Sequence, residues 1–167
     1  MTGNGRFLIG CAFAAALVLA FGAAPAAAQS CDGTTATIVG TTGNDTITGT
    51  SGVDVINGQG GTDTIYGLGG NDKICGGNGL DNVYAGSGDD RILGFGGDDG
   101  LEGDDGADLI AGHDGYDGII GWGGNDEMYG GTGDDQIFAG TGTDIANGRE
   151  GFDYCSLAET MISCEDF

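Results

Sequence analysis

Aspartate recurs at every ninth residue over a long central stretch: Asp45, Asp54, Asp63, Asp72, Asp81, Asp90, Asp99, Asp108, Asp117, Asp126, Asp135, Asp144 and Asp153. An ionised carboxylate is an acceptor-only oxygen group. If chain geometry stacks such groups at the spacing of neighbouring strands, about 4.8 Å, each pair repels. The repulsion is ~0.9 kcal/mol in water and ~3.5 kcal/mol at an effective dielectric of 20. A hard dication between successive carboxylates converts that repulsion into a binding site. Carboxylate and backbone carbonyl oxygens, in flexible six- to eight-fold coordination, are what Ca²⁺ takes, whereas Mg²⁺ demands tighter octahedral geometry and keeps its waters. Zn²⁺ would want His or Cys, and the repeating pattern supplies neither.

The element that positions these residues is a nine-residue block. Thirteen blocks run from Gly40 to Ser156 without an insertion or deletion. Positions 4 and 6 are Gly and Asp in all thirteen. Position 1 is Gly except at Ala85 and Ala139, and position 8 is Ile except at Val83, Leu101, Met128, Ala146 and Cys155. The glycine-rich first six positions predict a tight turn. Positions 7 to 9 predict a three-residue strand whose central apolar residue faces inward. One turn and one strand reverse the chain once, so two blocks complete a coil. Successive coils stack as parallel strands, with odd blocks in one sheet and even blocks in the other. The Ile ladder fills a thin interior between them.

The block reads GGxGxDxUx and resembles the RTX, or haemolysin-type, calcium-binding repeat family. The resemblance spans 117 residues, from Gly40 to Ser156. It implies an all-β fold, a right-handed parallel β-roll solenoid with Ca²⁺ held between turns. It further implies that the thirteen position-6 aspartates named above are the side-chain ligands and that the glycine turn adds carbonyls. Seven odd turns leave six gaps and six even turns leave five, which predicts up to about eleven ions. Position 2 departs from the pattern, being Gly only at Gly77, Gly86, Gly131 and Gly140. A turn tip with its side chain pointing outward would tolerate this. RTX proteins usually leave the cell through a type I exporter with a C-terminal signal, whereas this chain opens with an N-terminal leader.

That leader is residues 1–28: Arg6, an uncharged apolar run from Phe7 to Phe21, and Ala26-Ala27-Ala28 as a cleavage site. The mature chain then has three basic side chains against 26 acidic ones, a formal charge of −23. It is expected to have no membrane span. Four cysteines remain, Cys31, Cys75, Cys155 and Cys164. In an exported chain they predict two disulfides, with three connectivities open. Cys155–Cys164 with Cys31–Cys75 is favoured. The second bridge requires the N-terminal segment to fold back, since Cys31 in register would lie about two coils from Cys75. Residues 29–39 are expected to form an N-terminal cap strand around Thr37-Ile38-Val39. Residues 157–167, where the glycines stop, are expected to form a C-terminal cap.

So negative a chain is excluded from direct binding to nucleic acid or anionic lipid. Few large apolar residues and high charge would ordinarily mean disorder, so calcium is expected to drive folding. The functional expectation is a secreted, non-enzymatic calcium-binding repeat protein, with an adhesive or cell-surface role and a glycan or surface partner in prospect. Rival readings are an ice-binding solenoid and an accessory module of a polysaccharide-active system. Ice binding would need ranked Thr or Asn, and positions 3 and 5 form no regular array. The lone His113 reads as a solvated turn residue. Tyr66 and Tyr84 are expected to stack on adjacent coils. The extra turn acids Asp89, Asp98, Asp104, Asp105, Asp114 and Asp134 read as a solvated edge.

Overall fold

The computed structural model describes residues 30–164. The expected leader lies outside the described residues. Among the described residues every regular element is a strand. The chain opens with β1 (Ser30–Cys31), β2 (Thr34–Thr35), β3 (Ile38–Val39) and β4 (Thr46–Thr48). Eleven six-residue strands follow: β5 (Val55–Gly60), β6 (Thr64–Gly69), β7 (Lys73–Asn78), β8 (Asn82–Ser87), β9 (Arg91–Gly96), β10 (Gly100–Asp105), β11 (Leu109–Asp114), β12 (Gly118–Gly123), β13 (Glu127–Thr132), β14 (Gln136–Thr141) and β15 (Ile145–Glu150). The described chain ends with β16 (Tyr154–Ser156) and β17 (Thr160–Ile162).

Even-numbered strands β4 to β16 form a seven-stranded sheet, and odd-numbered strands β3 to β17 form an eight-stranded one. All their pairings are parallel, and within the repeats each residue faces the residue 18 away. The sequence therefore winds one coil per two blocks, as its period requires. The thirteen position-8 residues, from Ile47 to Cys155, are all buried and make one continuous core between the sheets. The strands β5 to β15 are longer than the three residues expected. They run on through positions 1 to 3 of the next block, so the turn proper is confined to positions 4 to 6.

Position 2 is where that continuation bends. From Gln59 to Arg149 it has a left-handed backbone in eleven successive blocks, as does the glycine at position 4. Seven of those position-2 residues carry side chains: Gln59, Leu68, Phe95, Asp104, His113, Trp122 and Arg149, at φ 70–83°. Each costs ~1–2 kcal/mol over glycine. The side chains point outward, as expected of a turn tip; Leu68 and Trp122 are about half exposed. At position 4 of these eleven blocks no side chain fits: a Cβ on Gly124 would lie 1.6 Å from the Gly106 carbonyl oxygen of the preceding coil.

The N-terminal segment folds back, as a Cys31–Cys75 bridge requires. β1 and β2 pair antiparallel as a hairpin outside the eight-stranded sheet. Cys31 is bonded to Cys75, and with Leu93 they form a second small buried cluster. Asn57 Nδ2 donates to the Ser30 carbonyl (2.7 Å), Lys73 Nζ to Thr34 Oγ1 (2.8 Å), and Arg91 pairs with Asp32 at 2.7 Å. At the other end Cys155 is bonded to Cys164. Among the described residues no helix is long and apolar enough to cross a membrane.

Candidate metal centre

The 18-residue register stacks the aspartates in two columns, one on each edge of the solenoid. Asp45, Asp63, Asp81, Asp99, Asp117, Asp135 and Asp153 lie on one; Asp54, Asp72, Asp90, Asp108, Asp126 and Asp144 lie on the other. All but Asp45 are buried. Within each column the two carboxylate oxygens have different surroundings. Oδ1 accepts the backbone N–H of the aspartate one coil earlier: Asp45 N–H donates to Asp63, Asp54 to Asp72, and so on to Asp135 and Asp153, at 2.7–2.9 Å. Oδ2 has no partner in the eleven aspartates from Asp63 to Asp153. A buried anionic oxygen left unpaired is among the costliest features a fold can carry.

The space beside Oδ2 shows what would pair it. A carbon at the Cβ position of Gly58 would lie 2.5 Å from Asp63 Oδ2 and 2.4 Å from the carbonyl oxygen of Gly76, one coil on. At Gly67 the corresponding atoms are Asp72 Oδ2 at 2.8 Å and Ala85 O at 2.4 Å; at Gly121 they are Asp126 Oδ2 and Ala139 O, both at 2.4 Å. The bare face of the position-1 residue thus adjoins a carboxylate of its own coil and a carbonyl of the next. Among the described residues no three His, Cys, Asp or Glu side chains converge as a metal cluster. A cation here must draw on carboxylate and backbone carbonyl together. That all-oxygen set suits Ca²⁺ and does not suit Zn²⁺.

Burial drives these carboxyls toward the neutral form. Asp99 and Asp108 are pushed up to about 7, and Asp90, Asp117 and Asp135 to about 6. Desolvation is the main cause. The N–H bond to Oδ1 opposes it, and neighbouring carboxylates add to the rise.

The RTX calcium-binding nonapeptide repeat profile matches the chain in four copies, at residues 39–74, 76–110, 102–137 and 120–155. The chain belongs to the RTX calcium-binding repeat family. No curated protein matches it. As an RTX roll it has two atypical turns. Asp45 and Asp54 use Oδ2 locally, accepting the backbone N–H (2.6 Å) and hydroxyl (2.9 Å) of Thr41 and Thr50 respectively. Thr at position 2 explains this. A β-branched residue resists the left-handed backbone, and Gly43 and Gly52 are likewise not left-handed.

Sequence reasoning missed two features of this RTX roll. Position 5 is not merely a solvated slot. Asp98 Oδ1 accepts Tyr116 N–H (2.9 Å), Asp89 Oδ1 accepts Ala107 N–H (3.0 Å), and Asn71, Asn125 and Asp134 do the same for the next coil. The mixture of Asp and Asn there was the available signal, since both offer the same acceptor. The second feature is Glu159, whose Oε2 accepts Asp144 N–H at 2.5 Å. His113 sits exposed at the position-2 bend of β11 with its ring stacked on Phe95, and Tyr66 stacks on Tyr84, both at 5.2 Å.

Proposed function

We propose that this protein is a secreted, non-enzymatic calcium-binding roll whose folding is driven by the ions it binds, with the position-6 aspartates as side-chain ligands. The carrying observation is the set of eleven buried carboxylate oxygens without a partner. Bound Ca²⁺ supplies the positive charge those oxygens lack. The chain's own part is to hold Oδ1 through the N–H of the preceding coil, leaving Oδ2 free beside a carbonyl. In this reading residues 1–28 are a removable leader, 29–39 and 157–167 are caps, and 40–156 is the calcium-binding body. Two disulfides, each tying a cap to the repeat body, support an oxidising, extracellular destination.

Eleven gaps separate the aspartates, but the two that involve Asp45 and Asp54 border the atypical threonine turns. We assign nine complete sites, each between left-handed turns. The buried position of the carboxylates, between coils where no substrate reaches, supports a non-catalytic role. In a calcium titration followed by circular dichroism, β signal should rise cooperatively at millimolar Ca²⁺ and be reversed by chelator. At ten times Kd each site adds roughly 1.4 kcal/mol. A chelated protein with an unchanged native spectrum would overturn the reading.

A glycan or cell-surface contact is a second proposal, favoured by one feature. On the outer face of the seven-stranded sheet, Gly100 and Gly118 form the floor of a trough of about 250 Å³ between Tyr84 and Phe138. Asn82, Glu102 and Gln136 offer it polar groups. A glycan array with calcium present tests it; binding that survives Tyr84→Ala excludes this face. The same outer row, Thr48, Tyr66, Tyr84, Glu102, Ile120 and Phe138, has no regular Thr array, so ice binding is not proposed.

A further inference from the structure

The C-terminal cap is a shortened fourteenth block. β17 pairs parallel with β15, Thr160 facing Ile145, Met161 facing Ala146 and Ile162 facing Asn147. Those partners occupy positions 7, 8 and 9, so the cap strand continues the repeat register, with a separation of 15 residues in place of 18. Three residues are missing from its turn. Two backbone signatures of the repeat persist. Thr160 N–H donates to the Asp144 carbonyl at 3.2 Å, the bond Tyr154 N–H makes to Asp135. Leu157, next after the position-9 residue Ser156, is left-handed at φ 64°. Glu159 therefore stands at position 6.

Its contact is also that of position 6. Glu159 Oε2 accepts Asp144 N–H, as each aspartate Oδ1 accepts the N–H of the aspartate one coil earlier. Asp144 itself is 1% exposed, and its Oδ2 has no partner. In the repeats Oδ2 adjoins a carbonyl of the following coil. For Asp144 the following coil is the cap.

We infer that Glu159 closes a terminal calcium site with Asp144, a site outside the thirteen repeats. The extra methylene of Glu suits a turn three residues shorter, where an Asp would be drawn back. Glu159 is exposed whereas every repeat aspartate except Asp45 is buried. The shortened turn also offers fewer carbonyls. The terminal site should therefore be the weakest on its edge and fill last. Its occupation fastens the cap over the end of the core ladder.

This inference rests on calcium binding by the roll, and the experiment separates the two. Glu159→Gln keeps an acceptor for Asp144 N–H and removes the charge. Native mass spectrometry of the purified chain at saturating Ca²⁺ should count one ion fewer than wild type. The Cys155–Cys164 bridge, read from the mass, should remain. An unchanged count overturns the terminal site and leaves the repeats standing. Loss of several ions overturns it as well, since Glu159 would then act by holding the fold. Wild type that binds no calcium overturns the calcium reading altogether. Hydrogen exchange gives a readout independent of the count. Calcium should slow exchange across residues 157–164 in wild type, at a higher concentration than it slows the repeats, and should fail to do so in the variant. Equal protection of the cap in both chains overturns the inference.

Discussion

At the residue scale, the two oxygens of one carboxylate divide the work. Oδ1 ties one coil to the next through a backbone N–H, and Oδ2 is left for a cation. Asp98 and Asp99 separate these roles within a single turn. Asp99 Oδ1 accepts Asp81 N–H (2.8 Å) and its Oδ2 is unpartnered. Asp98 Oδ1 accepts Tyr116 N–H and its carboxylate is exposed. Asn in either place keeps the acceptor and removes the same charge. Asp99→Asn should lower the calcium count and raise the calcium midpoint of folding, whereas Asp98→Asn should leave both nearly unchanged. Isothermal titration of the two variants checks this; equal behaviour would mean that charge, not coordination, is being measured. Asp99→Ala should be worse than Asp99→Asn by ~1–3 kcal/mol in the calcium-loaded protein, because it also strands the buried Asp81 N–H. Alanine at position 98 is a poor control, since it too removes an inter-coil bond. The one trace of that role in the sequence is Asp or Asn at six of the thirteen position-5 sites; the others vary among Thr, Leu, Val, Ala, Tyr and Phe.

At the element scale, the repeat is a strand that turns at two left-handed positions, and its ends need separate devices. The N-terminal hairpin covers Cys75 and Leu93 on the outer face of the eight-stranded sheet. Its bridge spans 44 residues. Closing a loop of that length in the unfolded chain corresponds to about 4 kcal/mol on the chain-entropy model. The C-terminal bridge spans 9 residues, and the same relation gives roughly 2.6 kcal/mol. Removing Cys31–Cys75 by paired Ser substitution should therefore cost more stability than removing Cys155–Cys164, as read by denaturant midpoints at saturating calcium. The reverse order would show that the hairpin is not docked on the roll in solution. Thr41 and Thr50 mark the first two turns as different in kind, and the physical reason was present in the sequence: β-branched residues resist the left-handed backbone that position 2 adopts elsewhere.

At the scale of the whole molecule, burying carboxylates makes the calcium-free fold sensitive to protons. Asp99 and Asp108 titrate near 7 in the folded chain against an ordinary value of 3.8. Between those values the folded state binds more protons than the unfolded state, so stability falls as pH rises. It is fully present below the unfolded pKa and is lost as pH passes the folded one. In chelator, the chain should hold more β structure at pH 5 than at pH 8 by circular dichroism. With calcium present the trend should reverse, because protons compete for the same oxygens. A calcium-free spectrum independent of pH would show that the columns are not buried in solution.

The nine-residue period by itself determined the coil, the two parallel sheets, the buried position-8 ladder and the two columns of aspartate. Each follows from a pattern that repeats without a break, so local geometry applied thirteen times leaves one way to stack. The four cysteines left after the expected leader, with Cys155 and Cys164 close together where the repeat ends, likewise favoured the two bridges found. Tertiary structure alone decided that Oδ1 is held by the preceding coil and Oδ2 is not. It also decided that position 5 links coils, that strands run through position 3, and that Glu159 stands in register after a three-residue deletion. These depend on contacts between residues 15 or 18 apart, and in the cap on a register that the sequence period no longer marks. A periodic sequence specifies which residues stack; the depth and direction of each side chain emerge only once the coils are packed.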